Sequence, residues 1–283
     1  RSARILWSDT VEKRPDSPRA RIGLGQALLV EERDAGGAIT QFRKAIELQP
    51  DHAFAHYNLG TALLMQRQFK GAADHLAVAL ETDPRNIDAR INLGQALTGL
   101  GRPDEAMAQY REVLALDPAA NDAAVNLGAL LVTTGRDAEG EALLRGALAA
   151  APELAEAHYH LGRVQERRGD ASAAEASYRS AIRYRPQFAA AHVALANCLT
   201  KRGDIPGADV LLREALRYEP SSAEAHYAMG NLRAKQRDFT AAMQSYRAAI
   251  EADPAHVQAR TNLGNCQLVT GRLREAIATY EEV

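Results

Sequence analysis

Apolar residues along this chain recur with the period of a helix rather than a strand. Between Ala53 and Met65, Tyr57, Leu59, Ala62 and Leu63 share the spacing of one helix face. A second such stretch runs from Phe69 to about Glu81, with Ala72, Leu76, Ala79 and Leu80 on its stripe. The polar break Gln66-Arg67-Gln68 separates the two. Asp83-Pro84 ends the second, because proline cannot continue a helix and biases the residue before it towards extended geometry. The predicted unit is helix, turn, helix, stop.

The unit recurs along the whole chain. Leu24-Gly25 is followed by Leu59-Gly60, Leu93-Gly94, Leu127-Gly128, Leu161-Gly162, Leu195-Ala196, Met229-Gly230 and Leu263-Gly264, a first step of 35 residues and then steps of 34. Pro50, Pro84, Pro118, Pro152, Pro186, Pro220 and Pro254 keep the same beat. A fixed period of this size predicts a solenoid in which each unit packs only on its neighbours, so 283 residues need share no single core. Such chains expose extended surfaces, which predicts a binding role and no catalysis.

Glycines mark two places in each unit. Gly101, Gly135, Gly169, Gly203 and Gly271 fall in the first turn, where a left-handed helix cap is expected. The Leu-Gly glycine lies inside a helix, where it costs about 1 kcal/mol relative to alanine. Its recurrence predicts a close helix crossing. Ala72, Ala106, Ala174, Ala208, Ala242 and Ala276 serve the same end, and Gly140 stands there in one unit.

These residues resemble the tetratricopeptide repeat, a 34-residue unit with Leu-Gly at positions 7 and 8, a small residue at 20, a bulky one at 24, Ala at 27 and Pro at 32. Position 24 reads Leu76, Tyr110, Leu144, Tyr178, Leu212, Tyr246 and Tyr280, and position 27 reads Ala79, Val113, Ala147, Ala181, Ala215, Ala249 and Val283. The resemblance implies an all-α fold, a right-handed superhelical solenoid of antiparallel helix pairs, with first helices lining a concave groove. Counting back from Pro50 puts Pro15 at the end of an earlier unit, with Trp7 and Ala3 at its bulky and small places. The expected organisation is a partial repeat, second helix only, over 1–17, and eight tandem repeats over 18–283, the last without a capping helix. Both ends therefore read as cuts in a longer protein, with end faces open to end-to-end self-association.

The stretch Leu6-Trp7-Ser8-Asp9-Thr10 is similar to the helix where the membrane part of the transmembrane and tetratricopeptide O-mannosyltransferase class hands over to its repeats. That resemblance would make the chain a periplasmic or lumenal tail of a membrane glycosyltransferase-like enzyme; without it the chain reads as cytoplasmic. The body resembles the repeats that precede the catalytic part of O-linked N-acetylglucosamine transferases.

In the resembled family, positions 2, 5, 6, 9, 12 and 13 face the groove. Position 6 carries Asn58, Asn92, Asn126 and Asn262, and position 9 carries Asn197, Asn231 and Asn265. An asparagine amide offers both donor and acceptor, as a peptide backbone does, so the rows are expected to grip an extended peptide. Tyr57, Tyr159 and Tyr227 at position 5 suit anchors on the groove wall or packing between first helices. Position 2 is acidic through Asp88, Asp122, Glu156 and Glu224. Arg167, Lys201 and Lys235 at position 13, with Arg163 nearby, form an expected basic strip for acidic groups on a peptide. The same charges also match helix dipoles. No position 5 is Lys, which argues against a clamp for a chaperone's C-terminal carboxylate.

Composition narrows the partners. A net charge of -2 gives no global field favouring nucleic acid, and no apolar run approaches the roughly 18–20 residues of a membrane span, so direct insertion is not expected. Cys198 and Cys266, two repeats apart, read as small buried residues beyond disulfide reach. His52 and His56 are four apart but lack a third ligand, so no metal is expected. No nucleophile elbow or phosphate loop appears, and no cofactor is implied.

Overall fold

The computed structural model describes residues 2–282; Val283, expected at position 27, lies outside them. The described residues are helical with short turns, in two compact units that divide after Arg136. The first holds α1 (Ala3–Lys13), α2 (Pro18–Ala27), α3 (Ala35–Leu48), α4 (Ala53–Met65), α5 (Phe69–Thr82), α6 (Ile87–Gly99), α7 (Pro103–Leu116) and α8 (Asn121–Thr133). The second holds α9 (Asp137–Ala150), α10 (Ala155–Arg167), α11 (Ala171–Tyr184), α12 (Ala189–Arg202), α13 (Ile205–Tyr218), α14 (Ala223–Lys235), α15 (Phe239–Ala252), α16 (Val257–Val269) and α17 (Leu273–Glu281). Even-numbered helices are the first of a repeat and odd-numbered ones the second.

Within each unit every helix packs on the next. First helices also meet across repeats, α2 with α4 and α4 with α6 in one unit and α12 with α14 in the other. Consecutive second helices do not pack in this way, so first helices line the inner side of each unit.

The Leu-Gly glycine is the crossing point within a repeat. A Cβ on Gly94 would lie 2.6 Å from the ring of Tyr110, on Gly162 2.6 Å from Tyr178, and on Gly230 2.4 Å from Tyr246. These three tyrosines are fully buried, and so are Ala106, Ala174 and Ala242 beside them. Burial raises the Tyr110 hydroxyl pKa to about 12.

The first turn takes a left-handed residue in each of the eight repeats. Gly101, Gly135, Gly169, Gly203 and Gly271 have φ from 71° to 95°. Arg67 and Arg237 stand at the same place with φ of 58° and 61°, and Arg33 with 54°. A non-glycine residue there carries a penalty of roughly 1 kcal/mol from its Cβ. Arg237→Gly is therefore expected to raise the stability of the second unit by about 0.5–1 kcal/mol, part of the gain being offset by unfolded-state entropy. A urea midpoint that moves down instead would contradict this. The odd first step of 35 residues has a local cause: Leu28–Glu32 forms a π-helical turn after α2, which absorbs one extra residue and puts Arg33 at the cap.

Candidate functional site

The asparagine rows face the inner side, and much of their hydrogen-bonding capacity is used within the protein. Asn58 is 8% exposed; its Oδ1 accepts from Nε2 of Gln26 at 3.1 Å and its Nδ2 donates to the Phe54 carbonyl at 2.6 Å. Asn92 Nδ2 donates to Thr61 Oγ1 at 3.0 Å, and Asn262 Nδ2 to Asn231 Oδ1 at 3.0 Å. Each rung joins position 9 of one repeat to position 6 of the next. A second helix reinforces the row: Tyr246 hydroxyl donates to Asn231 Oδ1 at 2.9 Å, and Tyr280 hydroxyl to Asn265 Oδ1 at 2.7 Å. The position-8 glycine lets the ring cross to that face. Asn231 Oδ1 is saturated by two donors and leaves only its amide N–H groups for another molecule, while Asn265 keeps its N–H groups and one acceptor position.

The rungs fail where position 6 is alanine. Position 9 is Arg163 where the next position 6 is Ala194, and Asn197 where it is Ala228, pairs 31 residues apart as in the Thr61–Asn92 and Asn231–Asn262 rungs. Neither Arg163 nor Asn197 makes a side-chain hydrogen bond, and Asn126 in the first unit makes none either. The missing bulk opens a pocket of about 560 Å³ between α10, α12 and α14, lined by Tyr159, Arg163, Glu166, Asn197, Glu219 and Glu224 among others.

The position-5 tyrosines combine both expected roles. They stay half-exposed while packing between repeats. Tyr159 lies 5.9 Å from the Tyr178 ring and 5.1 Å from Phe188; Tyr227 lies 6.0 Å from Tyr246 and 4.8 Å from His256. Tyr57 stacks on Phe54 at 6.2 Å. Burial raises the Tyr159 hydroxyl pKa, with the Arg163 guanidinium opposing and the carboxylates of Glu224 and Glu166 adding to the rise.

The position-13 residues of the expected basic strip are tied up within the protein, two of them on carboxylates. Lys201 Nζ bonds Glu166 Oε1 at 2.6 Å, Arg167 Nε bonds Asp137 Oδ2 at 2.9 Å, and Lys235 donates to the Thr200 carbonyl. These position-13 cations reach back to stitch their repeat to the preceding one. On the acidic side Glu156 pairs with Arg185, whereas Glu219 and Glu224 have no ion-pair partner.

The two histidines four residues apart stand in different surroundings. His56 turns inward, its Nε2 at 2.8 Å from the Pro50 carbonyl and its Nδ1 at 3.0 Å from His75 Nδ1, while His52 precedes α4. The Cys198 thiol is buried, which pushes its pKa up to about 11.

Three family models, each described as a tetratricopeptide repeat or TPR repeat, match residues 91–155 and 227–283, residues 63–111 and 166–232, and residues 34–67. The chain belongs to the tetratricopeptide repeat family. Solved structures agree with the fold. A chain of the APC/C hetero-tetramer Cut9–Hcn1 superposes over 93% of this chain with a TM-score of 0.75 at 16% identity; the match spans about half, 52%, of that protein. A tetratricopeptide repeat protein from Parabacteroides merdae matches over 92% of this chain and 98% of its own, with a TM-score of 0.71 at 17% identity. YrrB, described as a TPR protein with an unusual peptide-binding site, matches over 65% of this chain and 95% of its own, with a TM-score of 0.53 at 23% identity. No curated protein matches the sequence. Family membership makes this a protein-interaction scaffold, a class that generally lacks catalytic activity of its own. No helix among the described residues is long and apolar enough to cross a membrane.

Within the tetratricopeptide frame, position 4 carries a device that sequence reasoning missed. Arg21, His56, Arg90, His158, His226 and Arg260 each bond the carbonyl of the proline six residues earlier, at 2.6 to 3.2 Å. A terminating proline leaves its own carbonyl free of helix partners, and a long donor from the next helix satisfies it. The signal was present as a His or Arg six residues after nearly every repeat-ending proline.

Proposed function

We propose that the tetratricopeptide array recruits a protein partner by holding an extended segment of it against the first helices. The observation that carries this reading is the 560 Å³ inner-face pocket, where Arg163 and Asn197 stand without partners because alanines replace the asparagines that would have bonded them. Half-buried, unpaired polar groups in a pocket that an aromatic side chain also lines are what a bound peptide backbone would satisfy. The formed rungs support the same reading indirectly, since they rigidify the flanking repeats and lower the ordering cost of binding.

Cross-linking in a cell lysate tests it. A variant carrying Asn126→Ala and Asn197→Ala removes the two free amides without breaking a rung. A control variant, Glu112→Ala with Glu251→Ala, alters second helices only. Partners cross-linked by the wild type and the control, and lost from the amide variant, are the expected result. Partners retained equally by all three would place the interaction elsewhere.

A further inference from the structure

The pocket between α10, α12 and α14 reads differently in charge from the sequence expectation, and this inference rests on the groove reading given above. Lys201 is held by Glu166, so the position-13 cation is unavailable for a ligand. The pocket lining then holds three carboxylates, Glu166, Glu219 and Glu224, against one cation, Arg163, and Glu166 is already paired with Lys201 outside the lining. The excess charge lies with Glu219 and Glu224, both exposed and both without an ion-pair partner.

Helix electrostatics explain only one of these acids. Glu224 sits in the first turn of α14, where a negative charge is favoured by the helix dipole. Glu219 is the C-cap residue of α13, where the dipole disfavours a carboxylate. Asp83, Asp117 and Asp253 hold the same place in other repeats and accept from the backbone N–H two residues on, whereas Glu219 makes no hydrogen bond or ion pair through its side chain. The two carboxylates flank the short connection between α13 and α14 and line the same cavity as the half-exposed ring of Tyr159. Carboxylates and an aromatic ring lining one cavity favour a cation, because the ring face is itself negative. Asn197 lines the cavity as well and offers its amide to the main chain that carries the cation. Arg163 lies in the pocket as well and disfavours further positive charge there.

We infer that this pocket accepts a single basic side chain, arginine or lysine, projecting from an extended peptide whose backbone meets Asn197, with Glu219 and Glu224 as the charge-selecting residues and Tyr159 as the wall.

The probe is a pair of decapeptides of alternating serine and alanine, blocked at both ends, carrying one central arginine or one central glutamate. Binding to the isotope-labelled full chain is followed by NMR through the Asn197 side-chain amide. The arginine peptide is expected to bind about tenfold more tightly than the glutamate peptide at low salt, and the preference should shrink as ionic strength rises past about 0.1 M. Glu219→Gln with Glu224→Gln should bring the two peptides to within about twofold of each other. A preference for glutamate, a ratio unchanged in the double variant, or no binding of either peptide overturns the inference. Ala194→Trp, which fills the pocket, separates this failure from failure of the groove reading. Equal binding of both peptides, lost on Ala194→Trp, overturns the charge preference and leaves the groove reading standing. Binding that survives Ala194→Trp in a variant of unchanged helicity overturns both.

Discussion

Gly162→Leu is expected to destabilise the second unit by about 3 kcal/mol, towards the upper end of core overpacking. A Cβ at this position would lie 2.6 Å from Cε1 and 2.8 Å from Cδ1 of Tyr178. The ring cannot easily withdraw, because it is fully buried and its hydroxyl donates to Glu166 Oε2 at 3.0 Å. Replacing a mid-helix glycine gains about 1 kcal/mol in helix propensity. Displacing the ring forfeits more, since the hydrogen bond to a charged acceptor alone contributes about 1.5–3 kcal/mol. Packing therefore wins over propensity. Gly146→Ala is the matched control: it lies within α9, and a Cβ there meets nothing within 4 Å, so it should stabilise by up to about 1 kcal/mol. Urea denaturation of both variants decides the matter, and an unchanged midpoint for Gly162→Leu would sink the crossing account. Adding Tyr178→Ala to Gly162→Leu should recover part of the loss, as expected for residues in contact.

The second large effect is a loss of stability in mild acid that passes through His160. This residue occupies position 6, where four other repeats carry asparagine, and its Nδ1 is buried without a partner. Burial first, and then the nearby Arg163 guanidinium, together lower its pKa from 6.5 to about 4, with Glu156 opposing. The folded state thus binds the proton less readily than the unfolded state. The stabilisation is complete above the unfolded pKa near 6.5 and is lost as the pH falls towards about 4. Between pH 7.5 and 4.5 the expected loss is about 2–3 kcal/mol, at roughly 1.4 kcal/mol per pH unit of the window. His75 in the first unit acts in the same direction, its pKa lowered by burial and then by His56. His160→Asn should flatten the dependence in the second unit while leaving the first unchanged. Equal slopes for wild type and variant, measured by urea denaturation across that pH range, would assign the acid sensitivity to other groups.

Much of the repeat was legible before any coordinates. The helices expected over Ala53 to Met65 and from Phe69 to about Glu81 are found at Ala53–Met65 and Phe69–Thr82. They were readable because apolar spacing, a breaking proline and the turn glycines all act within a few residues of one another. The left-handed caps followed for the same reason, although Arg67 and Arg237 show that the geometry belongs to the turn and not to glycine alone. The 35-residue step was visible as a number, yet only the structure shows a π-helical turn absorbing it, since any of several loops could have done so.

The candidate site was legible as a list of residues and not as a set of relations. Asn58, Asn92 and Asn262 were identified by position, but each spends donor capacity on a neighbour one repeat away or on its own helix. Whether a side chain is free depends on what stands 31 residues distant, and that pairing comes into being only when repeats stack. The same holds for charge. Arg167, Lys201 and Lys235 form a basic row in the sequence, and stacking turns them into internal ties. The chain by itself determined the repeat, its period, its helix limits and the close crossing, because those rest on local propensity and on recurring small residues. Tertiary structure decided which polar groups remain available, because hydrogen bonds and ion pairs between repeats depend on distances that sequence position does not contain.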